Sequence, residues 1–363
     1  MTKLALIQPT KVKHWAPRFL ARIKSELSQP GFDSSFQIVD RPQDADAVLY
    51  VDSAFHKSAK DLPVYQKLLE WAAENGKSAF VLSFEDRPLA ALPGIYSSVE
   101  SRRFDPSLHL SWPHLEAPNK RVECASQKSH QQASRLFTFA GSCSHRIRRK
   151  LFSIYGSGVQ EDWKVVEVNR WYNHTQDEQL AYIDDILDSR FVLCPRGIAS
   201  YSHRILETML LERIPVIIAD DWVPFSFPER DYFIRIAEKD VGNVVQRLQQ
   251  ELANYDFYLS NLRQINSKWF AKQTRYRNIV EHFLKFHRER QDEHDPRTLL
   301  ERLKSHGFRR SNGLLSYQQI LESANAVPRR GKRVLKKIFS QDSRKKPAES
   351  GNDTPKNTEP RPG

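Results

Sequence analysis

A short loop after an apolar run combines the side chains that bind anions in proteins. Arg196 and Gly197 form the start of the loop, and Ser200 and Ser202 precede a segment with helical spacing. Gly197 permits a positive φ and a close approach of another group to the backbone, and either serine is a candidate N-cap. Because free N–H groups and the helix dipole attract anions, this loop and Arg204 predict a phosphate-binding site.

Three acidic residues follow at spacings that suit a nucleotide. Glu207 lies three positions after Arg204, on a neighbouring position of the same helix. A ribose attached to a bound diphosphate would lie about one turn along, where the Glu207 carboxylate can accept both hydrogen bonds of a cis-diol. Asp220 and Asp221 follow the next predicted strand at its carboxyl end, where ligands bind in open α/β sheets. An ordinary connection with Arg204 and Glu207 as a surface ion pair has the same composition, and the residues alone leave that alternative open.

Alternating strand and helix patterns must position these residues. They predict an α/β fold with parallel sheets and helices on the sheet faces. The predicted strands are 4–7, 36–39, 47–51, 79–84, 95–99, 135–140, 165–168, 191–194 and 215–219. The predicted helices are 15–27, 64–73, 144–155, 177–187 and 202–212, with mostly helical structure over 240–285. Residues 104–133 contain three prolines and predict an interdomain connection.

Composition bounds the class of protein. A length of 363 residues fits two domains. Three cysteines without CxxC spacing predict a reducing compartment, and neither a signal peptide nor a membrane-spanning run is evident. The net charge of +12 is concentrated in residues 328–346, which hold nine Lys or Arg and one acidic residue. Since a nucleic-acid-binding fold spreads its charge over a folded face, we expect that this protein does not bind nucleic acid. The cysteines and the lack of a signal peptide or membrane-spanning run predict a cytoplasmic protein.

The loop and its flanking strands resemble the exostosin-type glycosyltransferases. That family has a strand ending in CPRG, a helix with an R-x-x-E pair, a PVII-type strand, and an acidic pair before a W/V-P-F loop. This sequence has CPRG at 194–197, SHRILET at 202–208 and IPVIIADDWVPF at 214–225. RLFTFAGSCSHRIRRKL, at 135–151, resembles the family's strand-Gly-x-x-Arg-x-x-Leu element. The resemblance covers about residues 134–236.

This resemblance implies a GT-B architecture, in which two Rossmann-like domains with parallel sheets face each other across a cleft. It implies an acceptor-side domain followed by a domain that binds a nucleotide sugar. We predict these domains at residues 1–120 and 121–290. A helical, basic extension at 291–340 and a disordered tail at 341–363 are expected after them.

The resemblance also implies a role for each residue of the loop. Arg196 and Arg204 would contact the diphosphate of a UDP- or GDP-sugar, with help from Ser200 and Ser202. Glu207 would hold the ribose. The remaining loop residues, Gly197, Asp220 and Asp221, would complete the donor site.

Arg148, the arginine of the Gly-x-x-Arg-x-x-Leu element, would neutralise the leaving diphosphate, which is the main electrostatic task of such an enzyme. Because these folds rely on arginine, lysine and helix dipoles, no metal is expected. Residues 145–150 are also a basic run of the kind that forms a solvated helix face, so the residues alone leave this role open.

An inverting transferase needs a base to deprotonate the acceptor hydroxyl, whereas a retaining one does not. The base would follow a strand of the first domain, which makes Asp52, Glu85, Asp86 and Glu100 candidates. The FEDRP turn at 84–88 weakly resembles the acidic turn that supplies the base in the α1,3-fucosyltransferase family. This favours Glu85.

The sequence therefore predicts an exostosin-like hexosyltransferase of polysaccharide or glycolipid assembly, with a glycan or lipid-linked acceptor. Apolar residues of 328–346 recur at helical spacing among lysines and arginines, which favours an anionic membrane surface. That would place the enzyme at the inner membrane face, and a flexible solubilising tail is the alternative. The other functions considered are an α1,3-fucosyltransferase-like enzyme, a non-catalytic nucleic-acid-binding protein and an inactive binding module.

Overall fold

A computed structural model describes residues 1–7, 16–28, 35–52, 62–115, 119–125, 132–156, 158–169, 174–271, 274–305 and 308. The predictions for the basic segment 328–346 and for the tail 341–363 lie outside these ranges.

Two sheets of six strands each form the framework. The first contains β1 (Thr2–Ile7), β2 (Phe36–Val39), β3 (Ala47–Asp52), β4 (Ser78–Ser83), β5 (Gly94–Tyr96) and β6 (His109–Ser111). The second contains β7 (Arg135–Gly141), β8 (Gly158–Val159), β9 (Trp163–Glu167), β10 (Ser189–Pro195), β11 (Ile214–Ile218) and β12 (Ile234–Arg235).

Ten helices lie in the described residues: α1 (Ala16–Leu27), α2 (Leu62–Asn75), α3 (Lys120–Ala125), α4 (Arg146–Tyr155), α5 (Gln176–Leu187), α6 (Arg204–Leu210), α7 (Val244–Glu251), α8 (Tyr255–Trp269), α9 (Arg275–Arg288) and α10 (Pro296–Lys304). None of these helices combines the length and the apolar character that crossing a bilayer requires.

The first sheet is parallel, in the order β2-β1-β3-β4-β5-β6. Its strands are apolar at successive positions because both faces are covered. Leu4 and Leu6 pack in the core layer that contains side chains of α1 and α9. Ala5 and Ile7 pack on the other face, with side chains of α2 and α10. The chain thus returns to the first domain at its last described helices.

The second sheet has the order β12-β11-β10-β7-β9-β8 and is parallel apart from the short edge strand β8. If β8 is left out and the other five strands are numbered 1 to 5 along the chain, their order across the sheet is 2-1-3-4-5, as in flavodoxin-like sheets. The connections reverse direction between β7 and β10, and such a switch point is where open α/β sheets bind ligands. The topology therefore predicts a ligand site at the carboxyl ends of β7 and β10.

The carboxyl ends of the two sheets face each other. Beyond β6, Ser111 and Ser226 exchange two hydrogen bonds, of 3.0 Å from the Ser111 N–H to Oγ and 2.8 Å from the Ser226 N–H to the carbonyl oxygen. Beyond β5, the Ser101 N–H donates to the carbonyl oxygen of Asp221 at 3.0 Å. The loops after β5, β6 and β11 therefore meet at one junction between the domains.

The prediction of an α/β chain with two parallel-sheet, Rossmann-like domains, the GT-B architecture, is confirmed. The domain limits at residues 120 and 290 remain predictions. Residues 104–133, predicted as an interdomain connection, also contain β6, which pairs in parallel with β5, and α3. A strand of three residues among polar side chains and prolines gives no periodic signal.

Candidate functional site

Two arginines meet at the switch point of the second sheet. Arg148 lies in the first turn of α4, which follows β7, and Arg204 is the first residue of α6, which follows β10. Their Cζ atoms lie 5.9 Å and 5.0 Å from the centroid of the same ring, that of Phe139 on β7. A cation near an aromatic face is attracted by the ring quadrupole, so the Phe139 ring supports both guanidinium groups.

Neutral acceptors hold the two guanidinium groups in place. Arg148 donates to three backbone carbonyl oxygens, those of Ser142 (3.4 Å), Pro195 (3.2 Å) and Arg196 (3.1 Å). Arg204 donates to the carbonyl oxygen of Ala140 and, at 3.3 Å, to Ser202 Oγ. Within the described ranges neither arginine has a carboxylate at ion-pair distance. We call Arg148 and Arg204 the arginine pair.

The arginine pair is a concentration of uncompensated positive charge. Burial, and then the charge of Arg204, lower the pKa of Arg148 to about 10. Arg148 is therefore still protonated at neutral pH, although its charged form is disfavoured. An anion with several oxygens would relieve this by accepting charge-assisted hydrogen bonds from both groups.

Two glycines make room for the arginine pair. A Cβ at Gly197 would lie 3.2 Å from Nη2 of Arg148, and one at Gly141 would lie 3.2 Å from Nη2 of Arg204. The predicted close approach at Gly197 is confirmed, and the group that approaches is Arg148. The positive φ that a glycine permits is not used at Gly197, because its backbone lies outside the left-handed region.

The carboxylate of Glu207 lies one turn beyond Arg204 and accepts hydrogen bonds from two other residues. The Tyr182 hydroxyl donates to Oε2 at 2.6 Å, and Asn119 Nδ2 donates to Oε1 at 3.1 Å. In the described structure Arg204 and Glu207 are not an ion pair, so the alternative of a simple surface pair is not what is seen. Sequence reasoning missed Tyr182 and Asn119.

Arg196 contacts carboxylates instead of joining the arginine pair. It is 9% exposed and lies 3.1 Å from Asp221 and 3.8 Å from Glu100 of the first domain. The other predicted loop residues also make structural contacts: the Ser200 hydroxyl donates to the Ser98 carbonyl oxygen at 3.3 Å, and Asp220 accepts from the Glu238 N–H at 3.0 Å. The structure thus groups Arg148, Gly197, Ser202, Arg204 and Glu207, and it places Arg196, Ser200, Asp220 and Asp221 in contacts at or near the domain junction.

The N-cap of α6 is His203, and its side chain makes no capping bond. The prediction that Ser200 or Ser202 caps this helix is wrong, because the Ser202 hydroxyl accepts from Arg204 and Ser200 bonds to Ser98. At seven residues, α6 is also shorter than predicted. The positive charge at this place therefore comes mainly from side chains.

The turn after β4 lies against the same loop from the first domain. Arg87 of this turn donates to the Ile198 carbonyl oxygen at 3.5 Å. The Phe84 carbonyl oxygen lies 2.9 Å from Nε2 of His114, whose ring is 4.4 Å from the His203 ring of the second domain. Glu85 of this turn is 6% exposed. The position is compatible with the role predicted for Glu85, which stays a prediction.

Two of the other candidate bases, Asp52 and Glu100, have structural partners. Asp52 accepts a hydrogen bond from the Tyr65 hydroxyl at 2.6 Å inside the first domain. Glu100 is shared between Arg196 and Arg102, the latter at 2.8 Å. No group of three or more His, Cys, Asp or Glu that could hold a metal ion occurs in the part of the chain that the structure describes.

Two open surface depressions lie elsewhere. One of about 650 Å³ runs along α8, and its Arg263 already pairs with Glu212 at 2.7 Å. The other, of about 360 Å³, lies beside α7, and its Arg247 pairs with Glu251 at 2.7 Å. Because these two arginines are already paired, the arginine pair at the switch point is the stronger anion site.

The segment that holds the arginine pair is similar to a known protein family. Residues 83–251 match the family model of the exostosin GT47 domain. This segment is therefore similar to the exostosin GT47 domain. The predicted resemblance is therefore confirmed, and it extends further than the 134–236 stretch, because the match begins at the last residue of β4 and includes the Glu85 turn.

Relatives of the exostosin GT47 domain occur among plant proteins. The chain is 35% identical over 106 residues to a probable beta-1,4-xylosyltransferase of Arabidopsis thaliana, which is 25% of this chain and 26% of that protein. It is 38% identical over 91 residues to a probable glucuronosyltransferase of Oryza sativa subsp. japonica, which is 24% and 22% of the two chains. The chain thus spans about a quarter of the length of the curated relatives it matches.

Solved structures with a loose overall likeness are also glycosyltransferases. An α1,3-fucosyltransferase with GDP-fucose is 14% identical, with a TM-score of 0.37 over 83% of this chain and 90% of that one. A lipopolysaccharide outer core galactosyltransferase is 9% identical, with a TM-score of 0.41 over 78% and 99%.

Proposed function

We propose that this protein is a glycosyltransferase that moves a hexosyl group from a UDP- or GDP-sugar to a glycan or lipid-linked acceptor in polysaccharide assembly. One observation carries the proposal. The arginine pair, which has no carboxylate at ion-pair distance in the described residues, lies at the switch point of a sheet within the segment that matches the exostosin GT47 domain. A nucleoside diphosphate matches this charge, because it offers several anionic oxygens to two fixed donors.

The donor would lie along the start of α6. Arg148 and Arg204 would bind the diphosphate, with the Ser202 hydroxyl beside them, and Gly197 would keep the space open. Glu207, one turn along, would accept the hydrogen bonds of the ribose diol. Arg196 joins the diphosphate only if it exchanges Asp221 or Glu100 for the ligand, so we assign it first to the domain junction.

In the reaction, the acceptor oxygen forms a bond to the anomeric carbon of the sugar while the bond from that carbon to the diphosphate oxygen breaks. The leaving diphosphate gains negative charge, which the arginine pair stabilises more strongly in the transition state than in the ground state. If the enzyme inverts configuration, Glu85 takes the proton of the acceptor hydroxyl.

A ligand panel tests the proposal. The purified full-length chain is heated with individual UDP-, GDP-, CDP- and ADP-sugars, and the melting temperature is recorded with and without EDTA. We expect at least one nucleotide sugar to raise the melting temperature, since a ligand that binds only the folded state stabilises it. Slow release of the nucleoside diphosphate from a stabilising nucleotide sugar would identify that sugar as a donor. If no nucleotide sugar of the panel raises the melting temperature, the proposal is refuted.

We further propose that residues 328–346 bring the enzyme to an anionic membrane surface on the cytoplasmic side. Nine basic residues among apolar positions at helical spacing support this. Sedimentation with vesicles of phosphatidylglycerol and phosphatidylcholine tests it. The full chain should sediment and a chain truncated after residue 327 should not, whereas equal binding of both forms contradicts the proposal.

A further inference from the structure

The carboxylate of Glu207 accepts one hydrogen bond on each of its two oxygens. Ionised carboxylates offer about four acceptor positions, two on each oxygen. One position on Oε2 is filled by the Tyr182 hydroxyl at 2.6 Å, and one on Oε1 by the Asn119 amide at 3.1 Å. Among the residues that the structure describes, one acceptor position therefore remains on each oxygen, and Glu207 itself is only partly buried.

Tyr182 is fixed in its role as a donor. It projects from α5, 25 residues before Glu207 in the chain. Burial, and then the Glu207 carboxylate, raise the pKa of Tyr182 well above its usual value, so the hydroxyl keeps its proton. A hydroxyl bonded to a carboxylate at this distance is a charge-assisted bond, which is stronger than a neutral one.

Asn119 is fixed as well, because its amide oxygen has a separate task. This oxygen accepts from the N–H groups of Arg121 (3.1 Å) and Val122 (3.4 Å) at the start of α3. Two backbone donors at the oxygen leave only one orientation of the amide, with Nδ2 toward Glu207. The segment that links the two sheets thus positions a residue of the second domain.

We propose that Tyr182 and Asn119 are positioning residues that set the selectivity of the donor site for ribonucleotides over 2′-deoxyribonucleotides. They hold the Glu207 carboxylate so that its two open positions face one ligand, and a cis-diol presents two hydroxyls at the matching separation. The 2′-deoxy analogue supplies only one of them and leaves one position of Glu207 without a partner. This inference rests on the proposed function, in which Glu207 lies beside the ribose.

The test compares UDP with dUDP, and GDP with dGDP, by isothermal titration calorimetry on the full chain. The quantity measured is the ratio of the Kd of the deoxy form to the Kd of the ribo form. Wild type should favour the ribonucleotide about tenfold or more, the value of a hydrogen bond to a charged group. Tyr182→Phe and Asn119→Ser should each lower this ratio about three- to tenfold; serine still caps α3 but is too short to reach Glu207.

Two controls separate positioning from a general loss of structure. Tyr155→Phe removes a comparable hydroxyl, which donates to the Val241 carbonyl oxygen at 2.9 Å, and should leave the ratio unchanged. In a Glu207→Gln background, Tyr182→Phe should have no further effect on the ratio. This inference alone is overturned if wild type binds UDP or GDP and both Tyr182→Phe and Asn119→Ser keep the wild-type ratio of the deoxy to the ribo Kd. A wild type that binds no nucleoside diphosphate overturns the proposed function with it.

Discussion

Arg148 and Arg204 arise from different α/β connections, 56 positions apart in the chain, and their guanidinium groups share the ring of Phe139. The strands that precede them, β7 and β10, are neighbours in the sheet although β8 and β9 intervene in the sequence. The reversal of the strand order at this place brings the two cations together. The anion site is therefore a product of the topology as much as of the loop.

Replacing Gly197 should weaken nucleoside diphosphate binding. In Gly197→Ala the new methyl group would lie 3.2 Å from Nη2 of Arg148 and would displace that guanidinium by a few tenths of an ångström. We expect Kd for UDP or GDP to rise about fivefold to fiftyfold, since charged hydrogen bonds lose strength when their geometry is disturbed. Gly242→Ala is the matched control, because a Cβ there meets nothing within 4 Å. Equal affinities of the two variants would argue against this role of Gly197.

Removal of the buried cation at the domain junction should destabilise the protein. Arg196→Met leaves Asp221 without its arginine and Glu100 with Arg102 alone. We expect the free energy of unfolding to fall by about 1–3 kcal/mol, below the full range for buried pairs because Asp221 is 45% exposed. Arg102→Met breaks an exposed pair with the same Glu100 and should cost under about 1 kcal/mol. Urea denaturation measures both. If the Arg102 variant is the less stable one, Arg196 does not hold the junction.

Replacement of Glu85 should slow the reaction and spare donor binding. With an identified donor and acceptor, Glu85→Gln should lower kcat about a hundredfold or more if the enzyme inverts, because general base catalysis contributes about 10²–10⁴-fold. Glu85 is 6% exposed, so the isosteric glutamine is preferable to alanine. Asp86→Asn tests the second candidate base on the same turn and should leave kcat unchanged if Glu85 is the base. An unchanged kcat for Glu85→Gln, with the anomeric configuration inverted in the product, would exclude Glu85 as the base.

The protein should lose stability between about pH 6.5 and pH 4. Burial lowers the pKa of His109 to about 3 and, together with the charge of His294, lowers the pKa of His287 to about 4. In the unfolded chain both titrate near 6.5. The unfolded state therefore binds more protons in this interval, and the free energy of unfolding decreases as the pH falls, by on the order of 2 kcal/mol between pH 7 and pH 5.

Urea titrations at pH 7, 6 and 5 measure this dependence. His109→Gln should flatten it, since Nδ1 of His109 acts as a neutral acceptor for the Asp105 N–H at 3.0 Å and glutamine can also accept. A wild type that is equally stable or more stable at pH 5 would contradict the assignment of neutral buried histidines.

Much of the framework was predictable because strands covered on both faces must be apolar throughout. β3, β4, β10 and β11 are buried along most of their length and were predicted within one or two residues. β8 and β12 have two residues each and β6 has three, so no period can appear in them. Their places are set by pairing with neighbours instead.

The candidate site was predictable only in part for the same physical reason. Arg148, Arg204 and Glu207 belong to a local pattern of residues at fixed spacing. Tyr182 and Asn119 act through contacts that span 25 and 88 positions, which no local spacing records. Likewise, Arg196 resembles an anion-binding residue within its loop, but its carboxylate partners, Asp221 and Glu100 of the other domain, lie outside that loop.

The most direct test of the central claim is calorimetric titration of UDP and GDP into wild type, Arg148→Ala, Arg204→Ala and Arg146→Ala. Arg146 lies on the same helix as Arg148, but its side chain is 80% exposed and pairs with Glu238 at 3.5 Å. We predict that the first two substitutions weaken the tighter-binding nucleotide about tenfold to hundredfold, as expected for the loss of charged hydrogen bonds. Arg146→Ala should bind like wild type. Affinities that are unchanged in Arg148→Ala and Arg204→Ala would show that the diphosphate binds elsewhere and would contradict the account.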